Sequence, residues 1–409
     1  MSSVAMSRGR RLRIALVLPG GISFGAYEAG VASALLHVVR ESGQRVIVDA
    51  IVGASCGAIT GFLLALALRH EDASRWIEDF WVQRASLAWM LPWAPWIPSR
   101  PKVWAPLSTA PLEDWVERMV EEARGSAIQD EPITFIASLA NLHGVDVPVP
   151  VGLAPRPGVD EVIVRSFRDA RGFVLEDDQT EWRSALRATL ASSAHPCGFA
   201  SVAIPDARPN RDEHPSSCTW FTDGGTVDNE PVGLALDAVL DPAFRANQTG
   251  AARRDERMLL VVHSGNRQDS TAWAVREHPP TFVESGLRAL EMLWAGPSTA
   301  DDLRRVAEYN QRARARVEIE AALATRCDEV TRELLDRATG TLSNLPMHLL
   351  LIGPHDRQTL EGARYANVRG LLSRRARQND YRRGYADFIS SWYGSSPISS
   401  CTNESFDAR

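Results

Sequence analysis

Apolar residues in this chain come in short unbroken runs, separated by stretches with helical spacing. The run Ile14-Ala15-Leu16-Val17-Leu18 predicts a buried strand over 13–18. Residues 26–40 place Ala29, Val31, Leu35, Leu36 and Val38 at intervals that predict a helix. A second apolar run predicts a strand over 46–52, and 58–70 predicts the next helix. Strand and helix alternating in this way imply an α/β fold: a mostly parallel central sheet with crossover helices on both faces. Helical spacing resumes at 71–84 and 111–124, and strands are expected at 133–140 and 161–166. A helix over 181–193 follows, then strands near 220–222, 258–262 and 348–352, with helices through 281–338 and 356–392. Residues 205–217 are rich in Pro, Asp, Asn and Ser and read as a surface loop. No internal repeat is visible.

This pattern divides the chain into a flexible N-terminus (1–11), one α/β domain (12–394) and a polar, disordered tail (395–409). The core motifs fall within 12–240, and a helical C-terminal part occupies 266–394. Arg8, Arg10, Arg11 and Arg13 before the first apolar run imitate a signal peptide, but the run stops at Pro19-Gly20-Gly21. No stretch reaches the roughly 20 apolar residues of a membrane-spanning helix. A net charge of −6 gives no global reason to expect nucleic acid. Five cysteines without metal or redox spacing favour free thiols in a reducing compartment, so a cytoplasmic, membrane-peripheral location is expected.

The candidate chemistry starts at Gly53-Ala54-Ser55-Cys56-Gly57, a G-x-S-x-G pentapeptide between a predicted strand and a predicted helix. Strand, tight turn and helix make a nucleophile elbow, with the Ser55 hydroxyl exposed at its tip. The plainer reading is a βα turn that happens to hold a serine. Cys56 reads as a small filler beside it. Upstream, Gly20-Gly21-Ile22-Ser23-Phe24-Gly25 also joins a strand to a helix. Its spacing fits neither a dinucleotide fingerprint nor a P-loop. Consecutive backbone N–H groups at Gly20, Gly21 and Ile22 would instead suit an oxyanion.

A serine nucleophile needs a base. An α/β-hydrolase places several strands before its elbow, whereas Ser55 comes after only the second predicted strand here. His195 and His263 carry no motif. Asp223 ends the strand-like Trp220-Phe221-Thr222 and opens Asp223-Gly224-Gly225, so its carboxylate can project from a sheet edge. Asp-Gly is also an ordinary turn dipeptide.

Together these pieces resemble the patatin-like phospholipase family: a Gly-rich turn, G-x-S-x-G on the next strand, and a distant D-G-G. Ala191-Ser192-Ser193-Ala194-His195-Pro196 is similar to the serine-rich segment before the family's Asp strand, and Val227-Asp228-Asn229-Glu230-Pro231 to the segment after its D-G-G. The likeness covers roughly 12–240, with weaker likeness at 258–265 and 364–388. It implies a three-layer α/β/α fold and a lipid acyl hydrolase of phospholipase A or lysophospholipase type. It also implies a Ser55–Asp223 dyad without histidine and an acyl-serine intermediate; the carboxylates do not cluster at metal-ligand spacing, so no metal or cofactor is expected. Two positions depart from the family pattern: Ile22 stands for the third glycine and Phe24 for a basic residue. An acyltransferase or thioesterase would use the same dyad, and a scaffold that binds lipid without turnover is a further alternative.

Trp89, Trp93, Trp96 and Trp104 lie among Pro92, Pro95 and Pro98, which prevent a regular helix. Tryptophan favours the water–lipid boundary, so this segment is a candidate lipid interface through Trp89, Trp93 and Trp96. A buried aromatic cluster explains it equally. The basic run at Arg374, Arg375, Arg377, Arg382 and Arg383 reads as a solvated helix face, or as a contact with anionic lipid.

Overall fold

A computed structural model describes residues 10–91, 105–123, 126–151, 161–196, 198–205, 218–241, 255–263, 298–323, 346–354, 360–362 and 369–395. The first two strands, β1 (Leu12–Leu18) and β2 (Val46–Gly53), are buried at every residue. Strands covered on both faces need apolar side chains at successive positions, which is why they read as unbroken runs. Between and after them lie α1 (Gly25–Glu41) and α2 (Cys56–Arg69). The chain continues through α3 (Ser74–Glu78), α4 (Leu87–Met90) and α5 (Ala110–Glu122) to β3 (Ile133–Pro150), β4 (Glu161–Leu175) and α6 (Gln179–Ser192). Next come β5 (Val202–Pro205), β6 (Cys218–Asp223), α7 (Val232–Leu240), β7 (Glu256–Val262) and α8 (Ser298–Leu323). Last are β8 (His348–Ile352), α9 (Arg369–Leu372) and α10 (Arg374–Ser395).

Among the described residues eight strands form one sheet in the order β5-β6-β3-β2-β1-β7-β8, with β4 paired on β3. From β3 to β8 the neighbours run parallel; β4 and β6 are antiparallel to β3, and β5 is antiparallel to β6. Leu12, Ile14, Leu16 and Leu18 pack on the side of α1, α2 and α10, whereas Ala15 and Val17 pack with α7 and α8 on the other. The result is the expected three-layer α/β/α architecture. Helix Ile22–Glu41, the one described element long and apolar enough to cross a membrane, is 83% buried over its most apolar window. It is covered by α10, where Gly30 and Gly384 leave no room for a Cβ against the backbone of Tyr381 and Tyr27.

The β1–β2 register slips between Ile14 and Ala15, leaving Asp49 as an extra residue on β2. Its carboxylate joins a buried ion network where the parallel strands begin. Arg13, 2% exposed, meets Glu131 at 2.6 Å, Asp255 at 2.9 Å and Asp49 at 3.4 Å. Arg11 also binds Glu131, and Arg257 binds Asp49.

At the opposite end of the sheet, β2 and β6 share one edge of β3. β2 runs parallel along Thr134 to Ala137 and stops at Gly53; β6 runs antiparallel along Asn141 to Leu139 and stops at Asp223. Two C-terminal strand ends therefore converge on Ser138.

Several elements differ from the sequence reading. β3 and β4 extend as an antiparallel ribbon to Pro150 and Leu175, well past the expected 140 and 166. The expected helix over 71–84 is a 3₁₀ turn, then α3, then a π-helical turn over Asp79–Arg84. Of the helices expected over 281–338, α8 falls within the described residues. The expected loop beyond Pro205, the residues before 10 and those after 395 lie outside them.

Candidate active site

The elbow is built by close approach. A Cβ on Gly53 would lie 2.6 Å from Ala58 Cα, and one on Gly57 would collide with the Leu18 carbonyl. Only glycine lets β2 turn into α2 while pressed against the end of β1. Between them Ser55 adopts φ 53° and ψ −122°, a conformation that L side chains rarely take. Such a residue stores about 1–3 kcal/mol and persists only where neighbours hold it. Here the Ser55 N–H donates to Ser192 Oγ at 2.9 Å, and the Ser192 hydroxyl donates to the Ser138 carbonyl at 2.7 Å. The N-terminus of α2, the positive end of its dipole, begins at the next residue.

Asp223 arrives from the abutting strand. Ser55 Oγ donates to Asp223 Oδ2 at 2.8 Å, and Oδ1 accepts the Gly225 N–H at 2.7 Å. Gly224 packs so closely on the Ser138 carbonyl that no Cβ fits. Asp223 is 3% exposed, and burial pushes its pKa up to about 6, against the opposing pull of its bonds from Ser55 and Gly225.

The Gly-rich turn lies over this pair. A Cβ on Gly20 would stand 3.1 Å from Ser55 Cβ and 2.5 Å from Asn229 Oδ1. The Gly20 N–H donates to the Asn229 carbonyl at 2.9 Å, so this donor is already engaged. Ile22 takes φ 26°, strained for a β-branched residue, and opens a 3₁₀ turn (Ile22–Phe24) that leads into α1. Phe24 is 3% exposed and stacks on Tyr27 at 5.1 Å, so it is a core residue rather than a lining one. Behind the turn Cys56 is buried. Burial, with the nearby Glu28 and Asp223 carboxylates, raises its thiol well above the usual range. A protonated thiol fits the filler role.

The family model described as patatin-like phospholipase matches residues 16–236, more than half of the chain. The chain belongs to the patatin-like phospholipase family. No curated protein sequence matches it. Among solved structures it is similar to VipD from Legionella pneumophila, over 95% of this chain and 68% of that one. The two are 12% identical with a TM-score of 0.35, too distant to bear on the site.

In this patatin-like phospholipase the other expected residues take varied places. His263 pairs with Glu230 at 2.9 Å. Burial lowers the pKa of His195. Trp89, on α4, is half-buried and packs its ring edge-on against Phe80 at 5.9 Å. Trp93 and Trp96 lie outside the described residues, as does Trp104. In the basic run, Arg374, Arg375, Arg382 and Arg383 are exposed on α10, and Arg383 pairs with Asp387 at 2.9 Å. Arg377 departs from that solvated face: it is 4% exposed and bound to the backbone carbonyls of Val82 and Gly370.

Ser138, Ser192 and Asn229 are site residues that motif reading did not single out. Ser192 and Asn229 sat inside segments with family likeness, but no local pattern tells which serine of Ser192-Ser193 reaches the elbow. Ser138 carries no signal at all, because its place depends on two strands meeting across β3.

Proposed function

We propose that this chain is a serine lipid acyl hydrolase in which Ser55 is the nucleophile and Asp223 its base. The observation that carries this reading is the 2.8 Å hydrogen bond from Ser55 Oγ to a buried carboxylate. Asp223 takes the hydroxyl proton as Ser55 Oγ attacks the ester carbonyl carbon. The carbonyl oxygen becomes an oxyanion, held by the N–H groups of Ile22 and Gly21, the latter turning to it from the Cys56 sulfur. Gly20 brings the turn close to Ser55 while its own N–H stays with Asn229. The C–O bond then breaks, the alcohol leaves with the proton from Asp223, and acyl-Ser55 remains. Water repeats the sequence: Asp223 accepts its proton, the hydroxyl adds to the acyl carbon, and the fatty acid leaves as Ser55 recovers its proton.

A pKa of about 6 suits the base, since Asp223 is ionised at neutral pH yet still binds a proton well enough to take it from serine. The N-terminus of α2, which begins beside Ser55, favours the developing negative charge. The substrate class comes from the family: lipid acyl esters of phospholipid or lysophospholipid type, met at a membrane surface.

Ser55→Ala and Asp223→Asn, assayed on a short-chain p-nitrophenyl ester, test the dyad. Both variants should lose hydrolysis, and retained activity in both would overturn it. A fluorophosphonate probe that labels Ser55 separates an enzyme from a scaffold without turnover. Products formed with and without an acceptor alcohol separate hydrolase from acyltransferase.

A further inference from the structure

α10 lies beyond the residues that the family model matches, yet it reaches back to the turn in front of α1. Asp380 accepts the backbone N–H groups of Glu361 and Gly362 at 2.8 and 2.7 Å. The Gly362 carbonyl in turn accepts the hydroxyl of Ser23 at 2.8 Å. Ser23 directly follows Ile22 in the 3₁₀ turn. Gly370 closes in as well, so near that a Cβ on it would overlap Ser23 Cβ. The Gly370 carbonyl is held by Arg377 Nη1 at 2.8 Å.

Arg377 and Asp380, three residues apart, share one face of α10, and both are buried. Their charged groups bind backbone rather than each other. Each therefore fixes a strand of main chain beside Ser23. A buried carboxylate bound to two amide groups is a costly anchor, but it gives the main chain at Glu361 and Gly362 one position. The residue next in line, Ile22, has the strained φ of 26° that needs such support. The reciprocal glycine contacts of Gly30 and Gly384 also set the register of α10 on α1, so the clamp meets the turn at one height.

We propose that Ser23 and Asp380 are positioning residues: through Gly362 they fix the Gly21–Ile22 backbone over Ser55, so that the C-terminal helix completes the site. This rests on the reading of Ser55 and Asp223 as a catalytic dyad and of the turn as its oxyanion site. Neither Ser23 nor Asp380 touches the reacting atoms. Their loss should weaken the transition state more than substrate binding.

The test uses the full chain carrying Ser23→Ala or Asp380→Asn, with exposed Arg375→Ala on the same helix as the control. Each is assayed on a short-chain p-nitrophenyl ester and with an alkyl trifluoromethyl ketone, which Ser55 would convert into a tetrahedral oxyanion. The kcat of both variants should fall about 10- to 100-fold while KM stays within about two-fold. Ketone affinity should fall by the same factor as kcat, and Arg375→Ala should match wild type. Urea unfolding reports whether each variant is folded. Ser23→Ala removes one hydroxyl and decides the matter alone if Asp380→Asn does not fold. Wild-type kcat and ketone affinity in folded Ser23→Ala, with Ser55→Ala inactive, would overturn the positioning role. So would a loss confined to KM. A wild-type chain that neither hydrolyses the ester nor takes fluorophosphonate at Ser55 would instead overturn the dyad reading, and the positioning role with it.

Discussion

The two ends of the central sheet bury acidic side chains in opposite ways. Where β1, β2 and β7 begin, Asp49, Glu131 and Asp255 are matched by Arg11, Arg13 and Arg257. Burial would raise the pKa of Glu131, but Arg13 and Arg11 more than reverse this and hold it below the usual carboxylate range. Burial alone would likewise lower the pKa of Arg13, and Glu131, Asp49 and Asp255 raise it instead. Where β2 and β6 end, Asp223 has a serine hydroxyl and a backbone N–H but, among the described residues, no arginine, and burial raises its pKa to about 6. The matched network holds Glu131 in its ionised form. An unmatched carboxylate is left poised to take a proton, at a cost in stability.

Removing the dyad should separate these roles most clearly. Asp223→Asn should lower kcat/KM on a soluble ester about 10²- to 10⁴-fold, the usual worth of a general base. Ser55→Ala should fall at least as far. The Asn amide can keep its oxygen on the Gly225 N–H and turn its NH₂ to Ser55, whose hydroxyl rotates to accept. Both partners of the carboxylate keep a hydrogen bond, so Asp223→Asn should not unfold the protein. Urea titrations of both variants at pH 7.5 check this; a collapse of the midpoint would make Asp223 a structural acid instead.

Arg13→Met should do the reverse. It takes the shared guanidinium from Glu131, Asp255 and Asp49, which keep only Arg11 or Arg257, and breaking such a network by one partner costs up to about 3–5 kcal/mol. The urea midpoint should fall accordingly. The kcat per labelled active site, counted with a fluorophosphonate, should stay at the wild-type value, because the network lies at the far end of the sheet. A loss of kcat without a loss of stability would mean the two ends are coupled.

The pH dependences should also run in opposite directions. Asp223 has a raised folded pKa, so the stability it contributes is complete below about pH 4 and is lost as pH rises through about 6. The rise from 3.8 to about 6 corresponds to roughly 3 kcal/mol. Asp223→Asn should therefore be more stable than wild type at pH 8 and equal to it near pH 4. The activity of wild type moves the other way, with kcat/KM rising as Asp223 ionises near pH 6. Glu131 has a lowered pKa, so the network at the other end keeps its contribution at neutral pH and loses it in acid. Burial also raises Asp228 and Asp380 to about 6, so the wild-type stability curve sums several groups. The difference between wild type and Asp223→Asn isolates one. No stability gain in Asp223→Asn at pH 8 would show that its burial carries no such cost.

This contrast was half visible in the chain. Strands buried on both faces announced themselves: β8 falls on the expected 348–352, and β1 and β2 within a residue of expectation. Ser55 and Asp223 were legible because glycines lie on both sides of Ser55 and directly after Asp223, and close backbone approach leaves that mark. The β3–β4 ribbon was not. Val145, Val147 and Val149 alternate as a strand should, but Pro148 and Pro150 argue against one. Arg168, Asp169 and Arg171 give the second half of β4 no apolar alternation that marks a strand. Both segments hold because they pair with each other. The ion network and the meeting of β2 with β6 on Ser138 depend on long-range pairing and leave no local pattern. Neither does the bond from Ser23 to Gly362, which spans 339 positions. A helical pattern around α10 could be read, but not that two of its charged residues face inward.

The smallest expected effect tests how the site end tolerates strain. Ile22→Gly would relieve the φ of 26°, a strain of about 1–3 kcal/mol for a non-glycine residue. It would also loosen the unfolded chain, at about 0.4–1 kcal/mol, and remove a half-buried side chain. These terms oppose one another, so stability should change by no more than about 1 kcal/mol. The backbone should keep its course, because Ser23 stays bound to Gly362 and Gly20 to Asn229. The kcat should then change less than about three-fold, since the N–H groups of residues 21 and 22 survive the substitution. A parallel loss of kcat and ketone affinity in Ile22→Gly would show that the isoleucine side chain itself, and not the clamp behind it, keeps the turn in place. Combining Ile22→Gly with Ser23→Ala sharpens the point: a loss greater than the product of the single effects would place both residues in one mechanical unit.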